Sequence, residues 1–223
     1  MNSPPFILSI PNENPLPEET RERLLGLLPE NFGPQIQRFH KWQDRQAALL
    51  GKSLLRLGLQ RRAAPASLLA RLEVDYYSRP ALPLPFDFNI SHCPGRVVCA
   101  FLEPGPVGID IEPIRPTPRP YDFRSVLTSL ELKLLEELPP DARDLLFANI
   151  WTRKEAAIKA DGKGFSNELT SVSGLGQTVT LEGVSWEIHE IPMPGPYICH
   201  LAAHRRHATL THEPISLQNL FNS

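Results

Sequence analysis

Between residues 107 and 112, apolar Val107, Ile109 and Ile111 alternate with Gly108, Asp110 and Glu112. A period of two predicts a strand buried on one face, with both carboxylates projecting from the other. Phe86–Ser91 alternates in the same way, and Arg96–Leu102 is a second apolar run. The Cys93-Pro94-Gly95 turn between them predicts a hairpin. Helical spacing governs Pro34 to about Leu59, where Ile36, Phe39, Ala47, Leu50, Leu54 and Leu57 recur on one face. Pro17 to Leu28 opens with proline and acidic residues and predicts a short helix, and Ser67–Asp75 predicts another. Thr128-Ser-Leu-Glu131 is a capping box for a helix through Leu138. Asp141 to Ala160 predicts the longest helix of the second half, stopped by Asp161-Gly-Lys-Gly164. Val179–Ile191, Tyr197–Ala203 and His207–Thr211 predict strands. The fold class is therefore α+β, with a boundary near Pro104-Gly105-Pro106 that separates residues 1–104 from 105–223.

Composition narrows the classes of function. A chain of 223 residues holds one large domain or two of about 110 residues. A net charge of -2 gives no electrostatic basis for nonspecific nucleic-acid binding. No segment approaches the run of about 20 apolar residues of a membrane span. The N-terminus lacks a basic n-region, which argues against a secretory signal. Cys93, Cys99 and Cys199 form no CxxC pair and fit buried thiols in a reducing cytoplasm, so a cytoplasmic location is expected. The 24 prolines exceed the usual share of roughly 5% and predict long loops in the first third and from Pro104 to Pro120.

The chemistry gathers on two segments. Side chains two apart on a strand lie about 6.5 Å apart on one face, so Asp110 and Glu112 repel one another unless a cation neutralises them. On the long helix Trp151, Glu155 and Lys159 are spaced i, i+4, i+8 and share a face. Three carboxylates with nearby lysines suit a Mg²⁺ ion held together with a phosphorylated substrate. Taken singly, each residue also has an ordinary reading: an acidic strand edge, a helical Glu–Lys pair, a solvated lysine.

In combination, Gly108-Ile-Asp-Ile-Glu112, Trp151-Thr-Arg-Lys-Glu-Ala-Ala-Ile-Lys159 with Gly162-Lys-Gly164, and Phe88-Asn-Ile-Ser-His92 resemble the motifs of 4′-phosphopantetheinyl transferases. The likeness is to the larger, surfactin-synthetase-activating type, and it runs loosely from about Phe39 to the C-terminus. It implies two similar α+β halves related by a pseudo-two-fold, with coenzyme A in the cleft between them. The implied reaction moves the phosphopantetheine arm of coenzyme A to a serine of an apo acyl or peptidyl carrier protein. Adenosine 3′,5′-bisphosphate would be released. A monomer is expected, because one chain supplies both halves.

The resemblance also implies roles. Asp110, Glu112 and Glu155 would bind Mg²⁺. Glu155 would be a metal ligand, the base for the carrier serine, or both. Lys159 would stabilise the leaving phosphate, with Lys154 a weaker phosphate candidate. Ser91 and His92 would meet the nucleotide, His92 near its 3′-phosphate, and Arg79-Pro80 stands where relatives have a Lys-Pro at the adenine end. Relatives carry a phosphate-binding arginine where this chain has Ala47. Arg45 lies about 200° round the helix from that position, so either Arg45 or Lys41 compensates or the phosphate is held less well. Arg115, Arg119 and Arg124 would form a basic surface that steers an acidic carrier. Two other classes fit part of the pattern. One is an idle member of the fold that binds coenzyme A or a carrier as a scaffold. The other is a metal-dependent phosphohydrolase, which leaves Asn89-Ile-Ser-His92 without a role.

Overall fold

Phe6-Ile-Leu-Ser-Ile-Pro-Asn12 forms strand β1, and its Ile7 and Leu8 are both fully buried. A strand covered on both faces has no polar alternation, so its periodicity carries little signal. The computed structural model describes residues 4–77, 79–117, 119–164 and 168–222. Its contacts fall into two units, Met1–Pro104 with Thr209–Ser223, and Gly105–Ala208. The C-terminal half expected from sequence ran to residue 223; residues 209–223 belong instead with the first unit.

In the first unit, β1 is followed by α1 (Glu18–Gly26), α2 (Phe32–Gln37) and α3 (Trp42–Arg61). The single helical pattern expected from Pro34 to Leu59 is thus two helices, parted over residues 38–41. A small ladder, β2 (Glu73–Val74) with β3 (Pro80–Ala81), precedes the predicted hairpin of β4 (Asp87–Cys93) and β5 (Gly95–Leu102). Gly95 sits at a φ of 94°, a conformation that glycine adopts without a Cβ penalty. Toward the end of the chain, Thr211–Pro214 pairs parallel with β1 at the edge of the same sheet, where a strand had been expected over His207–Thr211. The helix α3 lies across this sheet, and Leu50, Leu54 and Leu55 are fully buried in a core with Phe88 and Phe101.

The second unit holds β6 (Val107–Pro113), α4 (Ser129–Glu137), α5 (Pro140–Asp161), β7 (Thr178–Leu181), β8 (Val184–Glu190) and β9 (Tyr197–Ala203). The strand over Thr211–Pro214 is β10, and α6 (Leu217–Phe221) closes the chain, both in the first unit. The second sheet is antiparallel in the order β6-β9-β8-β7. The Thr128–Glu131 capping box is formed in full, and α5 ends at Gly162 in the left-handed conformation. Alanines 156, 157 and 160 bring α5 onto the sheet over Trp186, Ile188 and Ala202. Among the described residues no helix is long and apolar enough to cross a membrane.

Candidate active site

Strand β6 turns Gly108, Asp110 and Glu112 toward α5, while Val107, Ile109 and Ile111 are fully buried on its other side. Both faces of the strand are therefore covered, and Asp110 is only 3% exposed. Glycine at 108 is what lets the helix in. A Cβ there would stand 2.0 Å from the Ala156 carbonyl oxygen and 2.4 Å from the Ala160 nitrogen. With that approach, Lys159 Nζ donates to Asp110 Oδ1 at 2.5 Å, and the Trp151 indole donates to the Glu112 carboxylate. Glu155 lies one turn from each, on the same helix face.

Burial raises the Glu155 carboxyl; Lys159 pulls it back, and Asp110 and Glu112 push it up further, to about 7. Burial also raises Glu112, with Asp110 adding to it, against Lys159, Arg115 and the Trp151 hydrogen bond. The three carboxylates feel one another, with Lys159 acting on both glutamates and Arg115 on Glu112.

A network beneath the helix fixes this face. His200 is paired with Asp110 in the β6–β9 register. Its ring is buried and its pKa is lowered to about 3, chiefly by burial and then by Arg153, so it is neutral. Arg153 Nε donates to His200 Nε2 at 3.3 Å. Nδ1 then carries the proton and donates to Thr152 Oγ1 at 2.7 Å, a tautomer assigned from its partners. Thr152 donates onward to the Ala148 carbonyl. No sequence motif signalled His200; its position opposite Asp110 follows only from strand register.

Lys154 is a correction. It faces the interior, 1% exposed, and donates to Glu131 Oε2 at 2.6 Å and to the Val126 and Leu169 carbonyls. Glu131 in turn accepts from the backbone N–H groups of Thr128 and Gly174. This lysine ties α5 to the capping box of α4, its ammonium already engaged in the interior.

In the first unit, β4 carries Ser91 buried and His92 exposed. His92 lines a cavity of about 500 Å³ with Phe39, Ala47, Lys52, Pro80 and Ile90 among its walls. Arg79 forms a forked ion pair with Asp87, at 3.0 and 2.5 Å, so its guanidinium is already engaged beside that cavity. Arg45 is a second correction. It lines a separate hollow with Arg21, Gln37 and Trp42, because two residues along α3 turn it away from the face of Ala47. Lys41 is exposed and is not among the residues lining the His92 cavity. Lys52 escaped the sequence reading, although its spacing from Ala48 put it on that face. Arg115 lines an apolar hollow beside Glu112 with Phe123, Phe147 and Trp151, and Arg124 stacks on Tyr121.

Known proteins supply an independent comparison. The profile of the 4′-phosphopantetheinyl transferase superfamily matches residues 106–209, a stretch that includes β6 and α5. The 4′-phosphopantetheinyl transferase Sfp of Bacillus subtilis (strain 168) is 32% identical over 169 residues, 75% of this chain and 75% of that one. The 4′-phosphopantetheinyl transferase AcpT of Escherichia coli (strain K12) is 31% identical over 71% of each chain. The 4′-phosphopantetheinyl transferase HetI of Nostoc sp. is 31% identical, over 67% of this chain and 66% of that one. A glycine-spaced acidic strand under a Glu–Lys helix, together with relatives matched over most of the chain, places this protein in the 4′-phosphopantetheinyl transferase superfamily, as an enzyme of Sfp-like type.

Proposed function

We propose that this enzyme transfers the 4′-phosphopantetheine arm of coenzyme A to a serine of an apo acyl or peptidyl carrier protein and releases adenosine 3′,5′-bisphosphate. The observation that carries the reading is the convergence of Asp110, Glu112, Glu155 and Lys159 where β6 meets α5. In this reading Ser91, His92 and the neighbourhood of Arg79 are candidates for the nucleotide end, and the acidic cluster would meet the pyrophosphate only through a bound cation. Each unit, taken by itself, has a four-stranded sheet with one long helix laid across it, which supports two similar α+β halves.

By donor type the three carboxylates suit a hard divalent cation such as Mg²⁺: all are oxygen ligands, and neighbouring charge disfavours ionising all of them alone. Among the described residues no such group is already drawn together around a metal position. Lys159 engages Asp110 through Oδ1. When bound, Mg²⁺ would supply charge neutralisation on the pyrophosphate.

The chain's own residues account for the rest. Glu155, once ionised, takes the proton of the carrier serine, a step for which a positioned base is worth roughly 10²–10⁴-fold. The serine Oγ forms a bond to the β-phosphorus as the bridging P–O bond breaks. Lys159 donates to the phosphate oxygen that gains charge, and the nucleotide bisphosphate leaves. Arg115, which lines the apolar hollow of Phe123 and Phe147, together with Arg119 and Arg124 suits the acidic surface expected of a carrier.

Intact-mass measurement of an apo acyl carrier protein incubated with the enzyme, coenzyme A and Mg²⁺ tests the reaction. A gain of one phosphopantetheine group, abolished by EDTA, is expected. No gain on either acyl or peptidyl carriers would refute the reading.

A further inference from the structure

The His92 cavity is walled chiefly by apolar side chains, and no aspartate or glutamate lines it. Two cations line it, the exposed Arg38 and the half-buried Lys52. The ammonium lies 5.4 Å from the centre of the Phe32 ring, and no hydrogen bond or ion pair engages it among the described residues. Burial lowers its pKa, with the buried Cys99 thiol opposing. A lysine withdrawn from water without a counter-charge is costly unless an anion completes the site.

The helix explains why Lys52 is available there. Ala47, Ala48, Gly51 and Lys52 all turn toward the cavity. Gly51 lets α3 close on β4, since a Cβ at that position would meet Ile90 Cγ2 at 3.0 Å. With the small side chain of Ala47 leaving room, Lys52 faces the same hollow as His92, with the exposed Arg38 and Gln35 also on its wall. The flat apolar walls of Phe39, Leu72 and Pro80 suit a nucleobase beside the charged group.

We infer that Lys52 binds the 3′-phosphate of coenzyme A, taking over in this chain the charge that an arginine at position 47 would carry. This rests on the coenzyme A reading above and adds to it a specificity residue: Lys52 would distinguish the 3′-phosphorylated nucleotide from its dephospho form.

The test is calorimetric titration of the full chain with coenzyme A and with 3′-dephospho-coenzyme A, for wild type, Lys52→Met and Lys52→Arg. A charge-assisted contact predicts that Lys52→Met weakens coenzyme A binding roughly ten- to a hundredfold and leaves the dephospho form unchanged. The unchanged dephospho affinity also shows that the variant is folded. Lys52→Arg should retain part of the discrimination. Equal losses on both ligands would place Lys52 elsewhere on the nucleotide, and undiminished discrimination in Lys52→Met would remove it from the site; either overturns the inference alone. A wild-type chain that binds neither ligand would overturn the coenzyme A reading and this inference with it.

Discussion

Gly108 on β6 lies so close to α5 that a methyl group on it would stand 2.0 Å from the carbonyl oxygen of Ala156. The obstacle is backbone, which cannot swing aside as a side chain can. Gly108→Ala is therefore expected to push α5, with Glu155 and Lys159, off the acidic strand. Overpacking of this kind costs about 1–3 kcal/mol, and a displacement near 1 Å costs roughly 10²-fold in rate. Thermal melting and carrier-modification kinetics read the two effects separately. A variant with wild-type melting and rate would show that the close approach is not required.

Lys154 and Glu131 are both essentially inaccessible, at 1% and 0% side-chain exposure. Lys154→Met strands the Glu131 carboxylate in the interior, and breaking a buried pair from one side costs about 3–5 kcal/mol. The folded fraction, assayed at low temperature, should keep its affinity for coenzyme A. A normal melting temperature with weakened coenzyme A binding would return Lys154 to the phosphate site.

The raised pKa of Glu155 has a defined sign. Its ordinary value is 4.5 and its folded value about 7, so the folded state binds more protons between them. The stability from this group is fully present below pH 4.5 and is lost as pH rises through about 7. In EDTA, Glu155→Gln should therefore gain stability relative to wild type on going from pH 5 to 7.5. Parallel stability curves for the two proteins across that window would contradict the assignment.

Sequence and structure part company at identifiable places. Alternation in Gly108–Glu112 and the i, i+4, i+8 spacing of Trp151, Glu155 and Lys159 were legible because one-face patterns survive in local sequence. The same patterns cannot tell which way a lysine off that face points. Lys154 looked like a phosphate ligand because its partner, Glu131, is a cap residue 23 positions away in sequence. The division of α2 from α3 was hidden because apolar Phe39 falls within the connecting residues. The return of Thr211–Pro214 to β1 depends on pairing across 205 positions, from Phe6 to Thr211, which no local pattern encodes.

His200 gives a spectroscopic prediction. A neutral ring with its pKa lowered to about 3 should show the Nδ1–H tautomer by NMR, without titration between pH 8 and 5. Midpoint titration near pH 6.5 would mean that the Arg153–His200–Thr152 chain is not formed.

The central claim is that the carboxylates at the β6–α5 contact carry out the transfer. Single-turnover intact-mass kinetics of carrier modification, comparing wild type with Asp110→Ala in Mg²⁺, test it most directly. The account predicts a loss of at least roughly 10²-fold, with a melting transition that still reports a folded protein. A folded Asp110→Ala enzyme turning over at the wild-type rate would contradict it.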